Sequence, residues 1–263
     1  TEAALFPIYS KVLHEGLDEG VRILYITPLR ALNRDIFRRM ANIAENLGIS
    51  VAIRHGDTSR RERYLISVKP PTMLITTPET LQFLLVGKRI RKSLKNVKWV
   101  IVDEVHELID SKRGVQLFTS LERLENISRF KIQRIALSAT IGNLGYTAKI
   151  VSGGRRIEIV NVPIKKNVCI EVEYVKPSKG SLLDESVKRI EKTRDKYRSL
   201  LIFTNTRDSA EAVAAKLLNL GRGDIAVHHG SLSREERIKT EIEFKNGRIK
   251  TIVCTSSLEL GID

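Results

Sequence analysis

Several things are scarce in this chain, and each scarcity removes a possibility. It has two cysteines, Cys169 and Cys254, among 263 residues. They have no metal-ligand spacing, which rules out a cysteine-built metal site and points weakly to a reducing compartment. Both lie in strand-like runs, where packing is the expected role. No apolar run is long enough to span a bilayer and no secretory leader pattern is seen. A membrane partner is therefore not expected, and a cytoplasmic location is, or a nuclear one in a eukaryote. Aromatic residues make up only 5% of the chain, which argues against a surface that reads bases chiefly by stacking. Acidic residues are outnumbered, 31 against 45 basic, for a net charge of +14. A field of that sign concentrates polyanions, so nucleic acid is the first partner to consider, held through backbone phosphates in a salt-dependent way. The excess is shared, with 24 basic and 15 acidic residues in 1–152 and 21 and 16 in 153–263, so no basic tail accounts for it.

What is present is an alternation of short apolar runs with amphipathic stretches, the pattern of βα units on a parallel sheet. Strands are expected at Val21–Thr27, Ser50–Arg54, Thr72–Thr76, Lys98–Val102 and Ile132–Leu137. Between the first two, Leu32, Ile36, Met40, Ile43 and Leu47 share one helical face and Gly48 is the expected stop. From Gly153 to Gly180 the composition changes: Gly153-Gly154, Pro163 and Pro177 punctuate two β-like runs. Val168, Ile170, Val172 and Tyr174 alternate with polar residues, as a half-buried strand should. This interval reads as a crossing segment, giving domains at 1–152 and 181–263 with 153–180 between them. The second half restarts with a helix through Leu183, Val187 and Ile190 and a strand at Leu200–Thr204.

The halves repeat one another. Arg54-His55-Gly56-Asp57-Thr58-Ser59-Arg60-Arg61-Glu62-Arg63 recurs as His228-His229-Gly230-Ser231-Leu232-Ser233-Arg234-Glu235-Glu236-Arg237. Tyr25-Ile26-Thr27-Pro28-Leu29-Arg30 recurs as Ile202-Phe203-Thr204-Asn205-Thr206-Arg207, and Ile75-Thr76-Thr77-Pro78 more faintly as Cys254-Thr255-Ser256-Ser257. Three matches in order imply a tandem duplication of one α/β domain. Each recurring segment is a strand end turning into a helix N-terminus, where free N–H groups and the helix dipole favour anions. Ser59 with Glu62 and Ser233 with Glu236 fit capping boxes, and Pro78 suits a first helical position after Thr77. Capping explains these residues singly; it does not require Arg30 and Arg207 at matched sites or a His-Gly before each box. Two phosphate-gripping platforms do, one per domain, and a gap between domains that changed with bound nucleotide would step them along a strand. The basic run Lys88-Arg89-Ile90-Arg91-Lys92, with Lys95 and Lys98, reads as a solvated face or as a further phosphate contact.

The most informative junction is Trp99-Val100-Ile101-Val102 ending in Asp103-Glu104-Val105-His106. A short apolar run closing on two carboxylates reads as a buried parallel strand delivering charge at its carboxyl edge, where ligands of open α/β sheets bind. One carboxylate there can hold Mg²⁺ and its neighbour can orient or deprotonate a water. A second apolar run, Ile132–Leu137, ends in Ser138-Ala139-Thr140. An Asp-Glu-Val-His and a Ser-Ala-Thr in this order resemble the Walker B and coupling motifs of the superfamily 2 DExH helicases. Thr27 to Leu32 looks like that family's motif Ia, Thr76-Thr77-Pro78-Glu79 like motif Ib, and Thr255 to Asp263 like motif V. With Arg54 to Thr58 and Lys112-Arg113-Gly114-Val115, the wording is most similar to the large helicase-related (Lhr-type) group, along the whole chain.

The resemblance implies two tandem RecA-like domains, each a mainly parallel sheet flanked by helices. It implies that Asp103 holds Mg²⁺, that Glu104 positions the hydrolytic water, and that His106, Ser138 and Thr140 couple hydrolysis to movement. By the same resemblance Thr1 is the last residue of the P-loop, with its hydroxyl on Mg²⁺, and Asp263 meets the ATP ribose. The P-loop glycines and lysine and the arginine motif VI are then expected to lie outside these residues, as in a fragment. Nucleic-acid contacts fall to Thr27, Arg30, Gly56, Thr77, Pro78, Thr204, Arg207, Gly230 and Thr255. The implied activity is ATP-dependent translocation on single-stranded or partly duplex nucleic acid, DNA favoured, with 3′-to-5′ polarity. A Ski-type RNA helicase shares this core, and a non-enzymatic basic strand-binding module fits the literal fragment. Ser138 and Thr140 are also well placed to cap a following helix, and His106 to start one.

Overall fold

The computed structural model describes the backbone of residues 1–16, 19–27, 32–138, 141–162, 169–176 and 181–258, with all their side chains except those of 32–38, 41, 234 and 257. The chain divides into two compact units, Thr1–Pro163 and Ile164–Asp263. In the first, the order is α1 (Glu2–Glu15), β1 (Ile23–Ile26), α2 (Leu32–Leu47), β2 (Val51–Arg54), α3 (Arg60–Val68), β3 (Met73–Thr76), α4 (Pro78–Val86), α5 (Ile90–Ser93), β4 (Trp99–Val102), α6 (His106–Ile109), α7 (Lys112–Glu125), β5 (Gln133–Ala136) and α8 (Leu144–Ser152). The second contains α9 (Leu182–Arg194), β6 (Leu200–Phe203), α10 (Arg207–Asn219), β7 (Ile225–His228), α11 (Arg234–Lys245) and β8 (Thr251–Cys254).

All strands pair in parallel, in the order β2-β3-β1-β4-β5 in the first sheet and β6-β8-β7 in the second. β1, β3 and β4 are buried along their whole length, which is why they read as unbroken apolar runs rather than alternating ones. Leu24, Ile26, Val100 and Val102 belong to a core with residues of α4, α6 and α7. Ile23, Tyr25, Trp99 and Ile101 face the opposite way, into a core shared with Leu5, Ile8 and Val12 of α1 and Met40 of α2. Chain direction out of the sheet reverses between β1, which leads to β2, and β4, which leads to β5. The carboxyl ends of β1 and β4 therefore form the switch point of this sheet, the place where such folds bind ligands.

The duplication is visible as geometry. Read backwards, β7-β8-β6 matches β2-β3-β1. The Thr27 N–H donates to Thr76 O at 3.1 Å, and the Thr204 N–H donates to Cys254 O at 2.8 Å. His55 Nδ1 accepts from the Asp57 N–H at 3.1 Å, and His229 Nδ1 from the Ser231 N–H at 3.3 Å. Both capping boxes, Ser59 with Glu62 and Ser233 with Glu236, are complete. Pro78 opens α4 after Thr77.

Three expectations are corrected. The third repeat match slips by one residue: β1 pairs Ile26 with Thr76 while β6 pairs Phe203 with Cys254, so Thr76 corresponds to Cys254 and Thr77 to Thr255. No strand forms at 169–176; Ile170, Val172 and Tyr174 are 79%, 93% and 86% exposed, with no neighbouring strand among the described residues to bury their apolar side. Cys169, in that segment, is exposed and does not pack, whereas Cys254 is buried in β8 and burial pushes its thiol up to about 11.

One ion cluster on the first unit sets an acid-dependent stability. Glu122 of α7 receives Arg155 at 2.7 Å and Arg134 of β5 at 2.8 Å. The Arg155 hydrogen bond, then that of Arg134, holds its carboxyl down to about 2. A carboxylate whose pKa is depressed on folding contributes stability above its unfolded pKa and loses it as pH falls toward the folded one. Glu122→Gln is therefore expected to lower the thermal midpoint at pH 6, and the gap from the parent to close between the ordinary value of 4.5 and about 2. Melting curves of both proteins at several pH values check this; a pH-independent gap contradicts it. The Glu122 side chain is 44% exposed, so the effect is modest.

Candidate functional site

At the switch point, Asp103 leaves β4 with its N–H on Ile26 O at 2.8 Å, so the first residue past the strand is still held by β1. Its carboxylate is buried and takes two donors: the Tyr25 hydroxyl on Oδ2 and the Glu104 N–H on Oδ1 at 3.0 Å. Burial, then the Asp103 charge, pushes the Tyr25 phenol far above its ordinary range, so it keeps its proton and donates. Thr1, the expected P-loop residue, acts on the same phenol in the opposite sense and lowers its pKa, which sets it on the Tyr25 side of Asp103. The Thr1 side chain makes no capping bond with α1.

Glu104 turns the chain sharply. Its φ of +49° is the one left-handed value among described non-glycine residues, a conformation that costs a side-chain-bearing residue about 1–2 kcal/mol and that clusters at functional sites. The turn lets the Val105 N–H reach Leu137 O at 3.0 Å, tying the segment to the end of β5. His106 then begins α6 with Nδ1 2.7 Å from Ser138 Oγ and 3.5 Å from Glu104 Oε2. The two expected motifs thus meet side chain to side chain. Among the described residues it is Asn143, and not Ser138, that caps α8, accepting from the Tyr146 N–H at 2.9 Å. Thr140 and Asp263 lie outside the described residues.

Asp103 fits a hard divalent cation. An ionised carboxylate offers about four lone-pair sites. Two are used, and the hydroxyl expected of Thr1 would add a second hard oxygen. An ion such as Mg²⁺ keeps several waters and shares substrate phosphates, so it needs only one or two protein oxygens.

The expected nucleic-acid contacts divide into two groups. Thr27, Thr77 and Pro78 are buried; the Thr77 hydroxyl bonds that of Thr80 at 3.1 Å, and the Thr27 hydroxyl has no partner among the described residues. Gly56, Gly230 and Arg207 are exposed, Arg207 in the first turn of α10. The Thr204 hydroxyl is spent on Cys254 O and Thr206 O, and the Thr255 N–H on His228 O. Arg30 lies outside the described residues.

Sequence reasoning passed over Arg54 and Arg63. Arg63 donates to Gly56 O at 2.7 Å, beside Arg54 at the end of β2. Burial, then the charge of Arg63, pulls the Arg54 pKa down, and neither arginine has an ion pair among the described residues. In the second unit the counterpart of Arg54 is His228, whose Nε2 lies 3.1 Å from Glu241 Oε1. The signal was available in the repeat, which sets Ser67 where α11 has Glu241.

Two parallel-sheet units of matching strand order, one with an Asp-Glu pair at its switch point and a His-Ser link between neighbouring strand ends, define a RecA-like helicase core of superfamily 2. The DEAD/DEAH box helicase model matches residues 1–145 and the helicase conserved C-terminal domain matches 179–263, and the chain belongs to the DEAD/DEAH box helicase family. It is 41% identical over 271 residues to the ATP-dependent helicase Lhr-Core of Methanocaldococcus jannaschii, covering 95% of this chain and 32% of that protein. With the Lhr helicase/uracil glycosylase of Escherichia coli it shares 34% over 313 residues, covering 92% of this chain and 20% of the other. The structure of Mycobacterium smegmatis helicase Lhr bound to ssDNA and AMP-PNP superimposes with a TM-score of 0.79 at 35% identity, covering 93% of this chain and 35% of that one. The chain thus spans about a third of the length of Lhr-Core relatives. No described helix is long and apolar enough to cross a membrane.

Proposed function

We propose that this chain is the motor core of an ATP-dependent, 3′-to-5′ nucleic-acid translocase and helicase acting on single-stranded or partly duplex DNA in the cytoplasm. Residues 1–152 and 181–263 form its two domains, with 153–180 crossing between them. The convergence of Asp103, Glu104, His106 and Ser138 at one sheet edge carries this reading. Asp103 with Thr1 would hold Mg²⁺, which neutralises phosphate charge when bound; Glu104 orients and deprotonates the attacking water; His106 passes the state of that site to Ser138 and the end of β5. The choice of DNA follows the ssDNA-bound Lhr relative. Hydrolysis of ATP by the whole protein, stimulated by single-stranded DNA, is the direct test, and its absence refutes the reading.

The grip is assigned to the strand ends of both units. Arg207 and its repeat partner Arg30 are expected to behave as a matched pair: each alanine variant weakens single-strand binding at every sequence and lowers the salt slope by about one unit. Their losses should add, since the two arginines belong to different units of the chain. Arg54→Ala belongs to the same class, whereas His228→Ala, whose parent residue already faces Glu241, should leave the slope unchanged. Salt titrations of affinity for a fixed oligonucleotide decide. If one of Arg30 and Arg207 proves silent, the two-platform reading is wrong and the repeat records ancestry alone.

A further inference from the structure

The Tyr25 hydroxyl has no role in the hydrolysis just described, yet it occupies an expensive position. Tyr25 is fully buried on β1, in the core that α1 forms against β1 and β4. A phenylalanine would fill that space without burying a polar atom. What the oxygen adds is one hydrogen bond, donated to Oδ2 of Asp103, while the Glu104 N–H holds Oδ1 at 3.0 Å. Both donors are rigid, one a backbone amide and the other a phenol fixed on a central strand. Together they fix the rotation of the carboxylate and leave acceptor capacity on each oxygen.

The duplication supplies an internal control. At the matched position of β6 the residue is Ile202, and the second sheet has no counterpart of β4 beside β6 among the described residues. The strand that borders Asp103 has the phenol; its repeat, β6, has a hydrocarbon in that place.

We propose that Tyr25 is a positioning residue, whose hydroxyl orients the Asp103 carboxylate to receive the Mg²⁺ of a bound Mg–ATP. This rests on the nucleotide-site reading above. Partners that orient a metal ligand contribute about 10- to 100-fold in metal affinity. In the full-length protein, Tyr25→Phe should raise the Mg²⁺ concentration that half-saturates binding of a fluorescent ATP analogue by about tenfold or more. The affinity for the analogue in EDTA and the nucleotide-free affinity for single-stranded DNA should both stay at parent values. In an Asp103→Asn background the same substitution should add no further loss.

An unchanged Mg²⁺ half-point, with only a lower melting temperature, overturns the proposal and leaves the bond structural. So do losses that add fully to those of Asp103→Asn, because the hydroxyl would then act elsewhere. If Tyr25→Phe fails to fold, 3-fluorotyrosine at this position keeps the ring while making the O–H more acidic; an unmoved Mg²⁺ half-point there overturns the proposal equally. A parent protein whose nucleotide binding ignores Mg²⁺ altogether refutes the nucleotide-site reading itself, which separates the two failures.

Discussion

Glu104→Gln in the whole protein should lower DNA-stimulated ATP hydrolysis by about two to four orders of magnitude, the range typical of removing a positioned general base. Glutamine keeps the shape of glutamate and can hold its side chain in the same place, where Glu104 Oε2 lies 3.5 Å from His106 Nδ1. It bears the same backbone cost at φ +49°, so the variant is expected to fold as the parent does. What is removed is the negative charge, and with it the capacity to take a proton from water. The loss should fall on kcat, with the affinities for nucleotide and single-stranded DNA nearly unchanged, because the interaction is made as the water attacks. Phosphate release in steady state, with binding measured separately, tests it. Parent-like turnover removes Glu104 from the reaction, and a loss confined to KM would make it a binding group.

The strand ends on which this chemistry rests were readable because they are buried on both faces. A central parallel strand needs apolar residues at every position, and Trp99–Val102 followed by two carboxylates permits few other readings. The capping boxes were equally plain, since a Ser and a Glu three residues apart satisfy each other locally. Alternation at 168–174 misled for the opposite reason. It records which residues could face a core without showing that a core lies beside them, and Val172 is 93% exposed. The one-residue slip of the third repeat has a similar origin: Thr-Ser similarity favoured one alignment, while hydrogen-bond register between strands fixed another. Tyr25 and Arg54 were missed because each sits in a strand where its residue type is unremarkable alone. Only comparison with Ile202 and His228 marks them as particular to the first unit. His106 and Ser138 were named from motif resemblance, but their 2.7 Å contact depends on β4 and β5 being neighbours, which chain order does not show.

Gly114→Ala should be the most damaging single methyl group on the first unit. Lys112-Arg113-Gly114-Val115 had served only as wording shared with one helicase group, and packing gives it a physical reason. Ser111 caps α7 by accepting the Gly114 N–H at 3.1 Å, which brings the first turn of α7 against the end of α6. A Cβ on Gly114 would lie 1.8 Å from Leu108 O and 2.7 Å from Leu108 C, both backbone atoms that no rotamer change can move aside. Helix propensity works in the other direction and favours alanine by about 1 kcal/mol. The clash outweighs it: forcing extra volume into a packed core typically costs about 1–3 kcal/mol, and more where backbone must yield. A net loss of about 3 kcal/mol would lower the midpoint of a unit this size by roughly 6–12 °C. Since α6 begins at His106, moving it should also disturb the His106–Ser138 contact, so the ATPase of any folded fraction should fall along with stability. Arg113→Ala is the control: its 2.5 Å pair with Glu79 is exposed on both sides and should shift the midpoint little. A Gly114→Ala protein that melts with the parent would show that α6 and α7 separate freely, and the close approach would then explain nothing about this glycine.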